Sequence, residues 1–381
     1  MFMTQNKDLN QAKAQKNDEF YTQLSDIENE LWYYRDHFKG KTVFCNCDDP
    51  YESNFFKYFA TNFNAFGLKK LIATCYRGSP ISYTELPLFP ELAPEVKEIR
   101  PPYKALITEV ADYNNDGAVD LADVEWLLQN KKNSCSLLNG DGDFRSEECI
   151  ALLKEADIVV TNPPFSLFRE FMAQLMKYKK QFIILGPMTA THYKEIFPLI
   201  QQNKIWLGFC THALKFRVPD YYEDREKSQS IGKNGERLRN FGNIRWFTNI
   251  DMAKRHEWLN LEAEYNPDEY PKYYNYDGID CGRICDIPKD YFGNIGVPDS
   301  FLELYNPDQF EIVGLGTDVP KTMTHTVCGD EIQYIKDGKV VWSTPYTVAE
   351  RKAGNSLRYD ENGKPGKLPY SRIIIRQRKK N

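Results

Sequence analysis

The apolar run Asp157-Ile158-Val159-Val160 stops abruptly at Thr161-Asn162-Pro163-Pro164-Phe165. Each of the two prolines lacks the backbone N–H that a sheet ladder needs, so a strand ending here leaves through a rigid turn. Ser166 then stands where a helix cap belongs, ahead of Leu167, Phe171 and Leu175 on one helical face. The same texture recurs upstream. Thr42–Cys47 reads as a strand and Asp48-Asp49-Pro50 as a turn. Ser53 reads as the cap of a helix bearing Phe55, Phe56, Phe59 and Phe63, which Gly67 closes. Ser25-Asp26-Ile27-Glu28 has the form of a capping box opening a helix that ends at Gly40. Further strands are expected at Lys69–Cys75, Phe182–Leu185, Ile205–Phe209 and Ile244–Thr248. Strand and helix alternating in this way predict an α/β, Rossmann-like fold. It has a mostly parallel, doubly wound sheet with helices on both faces and ligands beyond the carboxyl ends of the strands. The turns at Asp48 and at Asn162 both lie at such ends.

Composition narrows the function classes. A chain that is 41% hydrophobic and 27% charged is a folded globular protein. Its net charge of −5 excludes an overall basic coat for nucleic acid but leaves room for a local basic face. No stretch reaches the length of an apolar membrane span, and the polar first residues do not form a signal peptide, so a cytoplasmic location is expected. The nine cysteines and five histidines fall at no zinc spacing, which fits free thiols in a reducing compartment.

Residues 211–243 break the alternation with a polar stretch rich in Arg and Lys, and a loop of this length is usually functional. Beyond about residue 250 the texture changes to Tyr, Asn, Pro and Gly with short strands. One is Phe310–Leu315, and a hairpin is expected to turn at Asp337-Gly338. Two regions follow: residues 1–250, and a smaller α+β region over 251–381. The basic strand with Arg372, Arg376 and Arg378 joins the 215–245 stretch as a candidate nucleic-acid face.

The Asn162 turn suits one chemistry in particular. An amino nitrogen conjugated to a purine is a poor nucleophile because its lone pair is delocalised into the ring. Accepting hydrogen bonds from that NH₂ favours a pyramidal nitrogen with the pair free. The side-chain oxygen of Asn162 and the carbonyl of Pro163 are suited to do so, Pro164 stiffens the turn, and Phe165 offers a face on which a flipped base stacks. Direct transfer of a methyl group to nitrogen needs no protein nucleophile.

At this point the chain resembles the EcoRI-type adenine-specific DNA methyltransferases. The resemblance is carried by NDEFYTQLSDIENEL (17–31), CDDPYESNFFKYF (47–59), GDGDFRSEECIALLKEADIVVTNPPFSLFREF (140–171), YNYDGIDCGRICDIPKDY and GVPDSFLELYNPDQFEIVGL. It implies a class I methyltransferase domain over residues 1–250 that uses S-adenosylmethionine, with target recognition of double-stranded DNA over 251–381. The expected reaction is site-specific methylation of adenine N6, with room for a separately acting cognate restriction endonuclease. Catalysis is implied for Asn162, Pro163, Pro164 and Phe165, with Phe where Tyr is commoner. Cofactor binding is implied for Phe20, Tyr21 and Thr22, for Asp48 and Asp49, and for Asp143 and Phe144, the last pair on the cofactor's adenine. The glycines of an F-x-G-x-G motif are missing at Asp48, which keeps a non-catalytic nucleic-acid-binding protein as a rival. Methylation of RNA or of a protein glutamine amide is another, because the same turn serves those amines.

A second motif stands apart. Asp112, Asn114, Asp116, Ala118 (through its carbonyl), Asp120 and Asp123 fall at the ligand positions of a calcium loop, with Gly117 at the sixth. The twelfth ligand is Asp, which resembles the dockerin variant. Ala105-Leu106-Ile107 before it and Val124, Leu127 and Leu128 after it are expected to form the flanking helices around a structural Ca²⁺.

Overall fold

The computed structural model describes residues 21–50, 53–75, 102–130, 135–217, 229–231, 237–270, 272–273, 276–316, 325–328, 331–336, 339–342, 358–361, 364–367 and 371–379. The chain divides into two units, residues 1–197 with 205–250, and residues 198–204 with 251–381.

The first unit opens with β1 (Tyr21–Thr22) and helix α1 (Leu24–Leu31), which a tighter turn continues over Trp32–His37. There follow β2 (Thr42–Asn46), α2 (Asn54–Thr61), α3 (Phe63–Phe66) and β3 (Lys70–Thr74). Next come β4 (Tyr103–Ile107), α4 (Leu121–Asn130), β5 (Cys135–Leu137), α5 (Glu147–Glu155), β6 (Ile158–Thr161) and α6 (Phe168–Lys177). β7 (Gln181–Pro187), β8 (Trp206–Leu207), β9 (Leu214–Arg217), β10 (Gln229–Ile231), β11 (Arg237–Phe241) and β12 (Ile244–Thr248) complete the series, while α7 (Phe197–Gln201) falls, but for its first residue, in the second unit.

Eight of these strands form one sheet in the order β5-β4-β3-β2-β6-β7-β12-β8. β3, β2, β6 and β7 pair in parallel. β4 and β12 run against them, and β5 and β8 reverse once more, so six of the eight strands share one direction. β2 and β6 are buried along their whole length, which accounts for continuous apolar runs where a one-sided sheet would alternate. The chain moves from β2 to one side of the sheet through β3, β4 and β5, then returns to β6 on the other side of β2. The gap between the carboxyl ends of β2 and β6 is therefore the topological switch point, where open α/β sheets hold their ligands.

Two expected caps differ from the structure. Ser25 lies inside α1; Gln23 precedes the helix in an extended conformation with no side-chain cap. The reason is long-range, because β1 pairs with β9 (Thr22 opposite Phe216) and holds the chain extended up to that point. Ser166 does not cap α6 but sits in a short 3-10 turn, Phe165–Leu167, and Leu167 precedes the helix. Ser53 does cap α2, accepting from the Phe55 N–H, and Gly67 ends α3 in the left-handed region at φ +60°.

In the second unit β13 (Ile279–Asp280), β14 (Ile295–Pro298) and β15 (Phe310–Leu315) precede three strands, β16 (His325–Cys328), β17 (Glu331–Lys336) and β18 (Lys339–Trp342). A two-stranded pair follows, β19 (Arg358–Glu361) and β20 (Lys364–Lys367), and then β21 (Arg372–Gln377). β17 and β18 form the expected hairpin, whose turn residues Asp337 and Gly338 lie outside the described residues. β21 is a middle strand of the sheet β13-β14-β21-β15 and buries Ile373, Ile374 and Ile375.

Candidate active site

Val43 lies opposite Ile158 and Phe44 opposite Val159, so continuing the β2–β6 register brings Asn46 beside Thr161. There a side chain takes over from the ladder: the Thr161 hydroxyl faces both the Asn46 carbonyl and the Asp48 Oδ2. Asp48 Oδ1 accepts from the Ser53 hydroxyl at 2.7 Å. Both oxygens of Asp48 are thus engaged by protein hydroxyls. Next to it, Cys47 takes a left-handed backbone, φ +74°, the conformation a glycine normally supplies. This accounts for how the loop makes its bend without the missing glycines. Asp49 Oδ1 accepts from the hydroxyl of Tyr103, at the start of β4 on the same edge.

Thr22 closes over this loop. Its carbonyl accepts from Asn54 Nδ2 at 2.7 Å, at the start of α2. β1, which carries Tyr21 and Thr22, is the edge strand of a second sheet, β1-β9-β11-β10. That sheet is anchored by two carboxylates of α1. Glu30 is fully buried and accepts from the Phe209 and Cys210 N–H groups, each at 2.7 Å, and Asp26 accepts from the Lys215 N–H at 3.0 Å. Burial pushes the Glu30 carboxyl above its ordinary pKa. Phe20 lies outside the described residues.

The Asn162–Phe165 turn leaves β6 at the switch point. Pro163 is buried, and Asn162, Pro164 and Phe165 are half-buried. Phe168, the first residue of α6, is fully buried and lies over Gly186 in β7. A Cβ on Gly186 would sit 2.3 Å from the Phe168 ring, so only glycine lets the start of α6 approach β7 this closely. The turn is therefore held from below by Thr161 and from its far end by Phe168.

Asp143 and Phe144 occupy the loop that follows β5 on the same edge. Arg145 grips the Asp143 carboxylate through Nε (2.8 Å) and Nη2 (2.6 Å), which holds its pKa below the usual carboxylate value. Arg145 also reaches Glu170 of α6 at 2.7 Å. The Phe144 ring is buried edge-on against Phe171. The pair is thus tied to α6 through these two partners.

Among the described residues no group of three or more His, Cys, Asp or Glu side chains is arranged to hold a metal ion. The calcium-loop expectation at Asp112, Asn114, Asp116, Ala118, Asp120 and Asp123 is therefore not supported. The element before the loop is the strand β4, which contains Ala105-Leu106-Ile107, and only the following element, α4, is a helix. The carboxylates turn to the loop's own backbone. Asp112 accepts from the N–H groups of Asp116 and Gly117, Asp116 from Ala118, and Asp120 from Ala122. Asp123 accepts from Tyr113, Asn114 and Asp120. The loop lies at the opposite, amino edge of the central sheet, because β4 is antiparallel to β3 and ends beside Leu71.

One residue of the expected basic faces is not at the surface. Arg372 is buried and paired with Asp280 (Nε–Oδ1 2.7 Å), to which Tyr273 also donates, so it holds the second unit's sheet together. Arg376 and Arg378 are exposed, and Lys215 is exposed on β9. Sequence reading missed Thr161, Tyr103 and Gly186, whose roles exist only once distant strands meet.

The sequence matches the family described as "Adenine-specific methyltransferase EcoRI" over residues 8–378. It is 46% identical to the Type II methyltransferase M.EcoRI of Escherichia coli, covering 81% of this chain and 89% of that protein. It is 37% identical to M.MpnI of Mycoplasma pneumoniae, over 97% and 98% of the two chains, and 37% identical to M.MgeORF184P of Mycoplasma genitalium, over 80% and 85%. No solved structure matches it. No helix among the described residues is long and apolar enough to cross a membrane. With its Asn-Pro-Pro-Phe turn at the switch point of a mostly parallel sheet, the chain belongs to the EcoRI-type family and is an S-adenosylmethionine-dependent DNA adenine methyltransferase.

Proposed function

We propose that this enzyme methylates N6 of an adenine flipped out of double-stranded DNA, and that Asn162 is the residue on which turnover depends. The observation that carries this reading is the position of Asn162 at the carboxyl end of β6, one residue after a threonine tied to the loop of β2. The Asn162 side-chain oxygen and the Pro163 carbonyl accept hydrogen bonds from the two N6–H groups, drawing the amine toward a pyramidal, nucleophilic form. Pro164 fixes the exit of the turn, and the half-exposed ring of Phe165 stacks on the base.

The residues around the β2 loop fit S-adenosylmethionine. Asn46 Nδ2 and Thr22 Oγ1 are buried without hydrogen-bond partners among the described residues, and they flank the loop 47–53. They are donors for a ligand rich in oxygen and nitrogen acceptors. Asp49 and Asp143 add acceptors along the same edge; Tyr21 and Phe144 complete the cofactor set. When bound, the cofactor supplies an electrophilic methyl group on a sulfonium centre. Asn162 orients the acceptor amine toward it, and Phe165 shields the base from water.

The relatives' designation as Type II methyltransferases supports a role in site-specific modification beside a separately acting cognate nuclease, in the cytoplasm. Two separate faces are candidates for DNA: the strands bearing Lys215, Arg217, Arg237 and Arg239, and Arg376 and Arg378 of residues 251–381, the target-recognition region. Phosphate contacts there make binding strongly salt-dependent. We assign no calcium to the loop at Asp112.

The test is transfer of labelled methyl from S-adenosylmethionine to unmethylated genomic DNA, with N6-methyladenine identified in the digest. Asn162→Ala is expected to lower the rate by about 10²- to 10³-fold, the scale for losing one group that acts on the transition state. Label on RNA or protein instead of DNA would overturn the assignment.

A further inference from the structure

We propose that Asp48 is a positioning residue, which with Ser53 and Thr161 forms a buried strut that sets where Asn162 stands relative to the loop after β2. The inference rests on Asn162 being the residue that receives the target amine.

Each oxygen of Asp48 meets a protein hydroxyl: Oδ1 accepts from Ser53 at 2.7 Å and Oδ2 faces the Thr161 hydroxyl. The donors come from two different elements, Ser53 from the cap of α2 and Thr161 from the end of β6. Thr161 is 113 residues away in sequence. All the members are secluded, with Thr161 and Asn46 at 0% relative exposure, Ser53 at 5% and Asp48 at 6%. Removing one of these hydroxyls therefore takes a donor from a buried acceptor, which costs more than losing one at the surface. The Thr161 hydroxyl faces both Asp48 and the Asn46 carbonyl, so one side chain at the end of β6 meets both the strand and the loop on the other side of the switch point. Asn162 is the very next residue. Any shift of Thr161 is passed through one peptide unit to the amide that must meet the target nitrogen, and small misplacements of such groups slow reactions steeply. Ser53 also caps α2, accepting from Phe55 N at 3.1 Å, so the helix and the catalytic turn share the same carboxylate. In place of the cofactor contact that the family resemblance implied for it, Asp48 holds together the two loops between which transfer takes place.

The strut is tested in the full-length protein by measuring the single-turnover methylation rate and S-adenosylmethionine affinity by calorimetry. The assays are run well below each variant's melting temperature. Thr161→Val, which keeps the shape and removes the hydroxyl, is expected to slow methyl transfer by about 100-fold. Cofactor affinity should stay within about threefold, and Thr161→Ser should recover most of the rate. A Thr161→Val enzyme with an unchanged rate overturns the proposal. So does one whose rate and cofactor affinity fall in equal measure, because Asp48 then acts through the cofactor. If Thr161→Val does not fold, Ser53→Ala, which removes the donor on the other oxygen, decides by the same split. An unchanged rate there overturns the strut, and a slower rate at constant affinity supports it. Asn162→Ala is run alongside. Retained transfer in that variant removes the reading of Asn162 itself, whereas an inactive Asn162→Ala beside a fully active Thr161→Val removes only the strut.

Discussion

At the carboxyl edge of the central sheet, Asp48 receives hydroxyls from Ser53 and from Thr161, which is 113 residues distant. At the amino edge, Asp123 receives N–H groups from Tyr113, Asn114 and Asp120, none more than ten residues away. Both are buried aspartates of Asp- and Asn-rich motifs, Asp48 in a loop and Asp123 in the first turn of α4, and the two motifs look equally purposeful. The difference lies in where their partners come from. A carboxylate satisfied by neighbours in sequence closes one loop onto the helix that follows it. One satisfied from another strand fixes the relation between two elements, which is what a site needs.

If that contrast is right, changes at the carboxyl edge alter turnover and changes at the amino edge alter only stability. Gly186→Ala should have the largest effect of this kind, because its Cβ would meet the buried Phe168 ring at 2.3 Å. We expect a loss of about 1–3 kcal/mol in urea unfolding together with slower single-turnover transfer, since Phe168 follows the catalytic turn directly. An unchanged rate would break the link drawn between β7 and that turn.

Asp123→Asn should act on stability alone. Hydrogen bonds from the N–H groups of Asp120, Tyr113 and Asn114 hold the Asp123 carboxyl below its ordinary value of 3.8. The ionised form therefore stabilises the folded state above that value, and the contribution is lost as pH falls through the lowered one. Wild type should be the more stable protein in urea at pH 7, with the gap closing below about pH 4. Methylation rates should be equal. Excess chelator should leave the melting temperature within about 1 °C, whereas a clear fall would mean that an ion stabilises the native state after all. The smallest effect is expected for Cys47→Gly. Relieving a left-handed non-glycine residue offsets the added chain entropy, so unfolding should change by about 1 kcal/mol or less, with cofactor affinity retained.

The strands that sequence reading placed well are those whose signal is local. β3, β6 and β12 fall within a residue or so of their expected bounds because continuous apolar runs between turn residues mark a doubly covered sheet. β8, expected over Ile205–Phe209, shrinks to Trp206–Leu207. The Asn162 turn was legible for the same reason, as two prolines impose their geometry wherever they sit. What escaped is decided at a distance. The start of α1 depends on Thr22 pairing with Phe216, and the fate of Arg372 on an aspartate 92 residues earlier in the chain. The antiparallel direction of β4 turned an expected helix–loop–helix into a strand–loop–helix.

The position of β21 has a consequence for biosynthesis. It lies between β14 and β15, yet 56 residues separate Leu315 from Arg372. At ordinary elongation rates a ribosome needs roughly 3 to 11 s to cross that interval. Through that wait β14 and β15 have no strand between them, and Asp280 has no arginine. The second unit's sheet thus assembles late, and a nascent chain stalled before Arg372 would present two apolar strand edges to chaperones or to its neighbours.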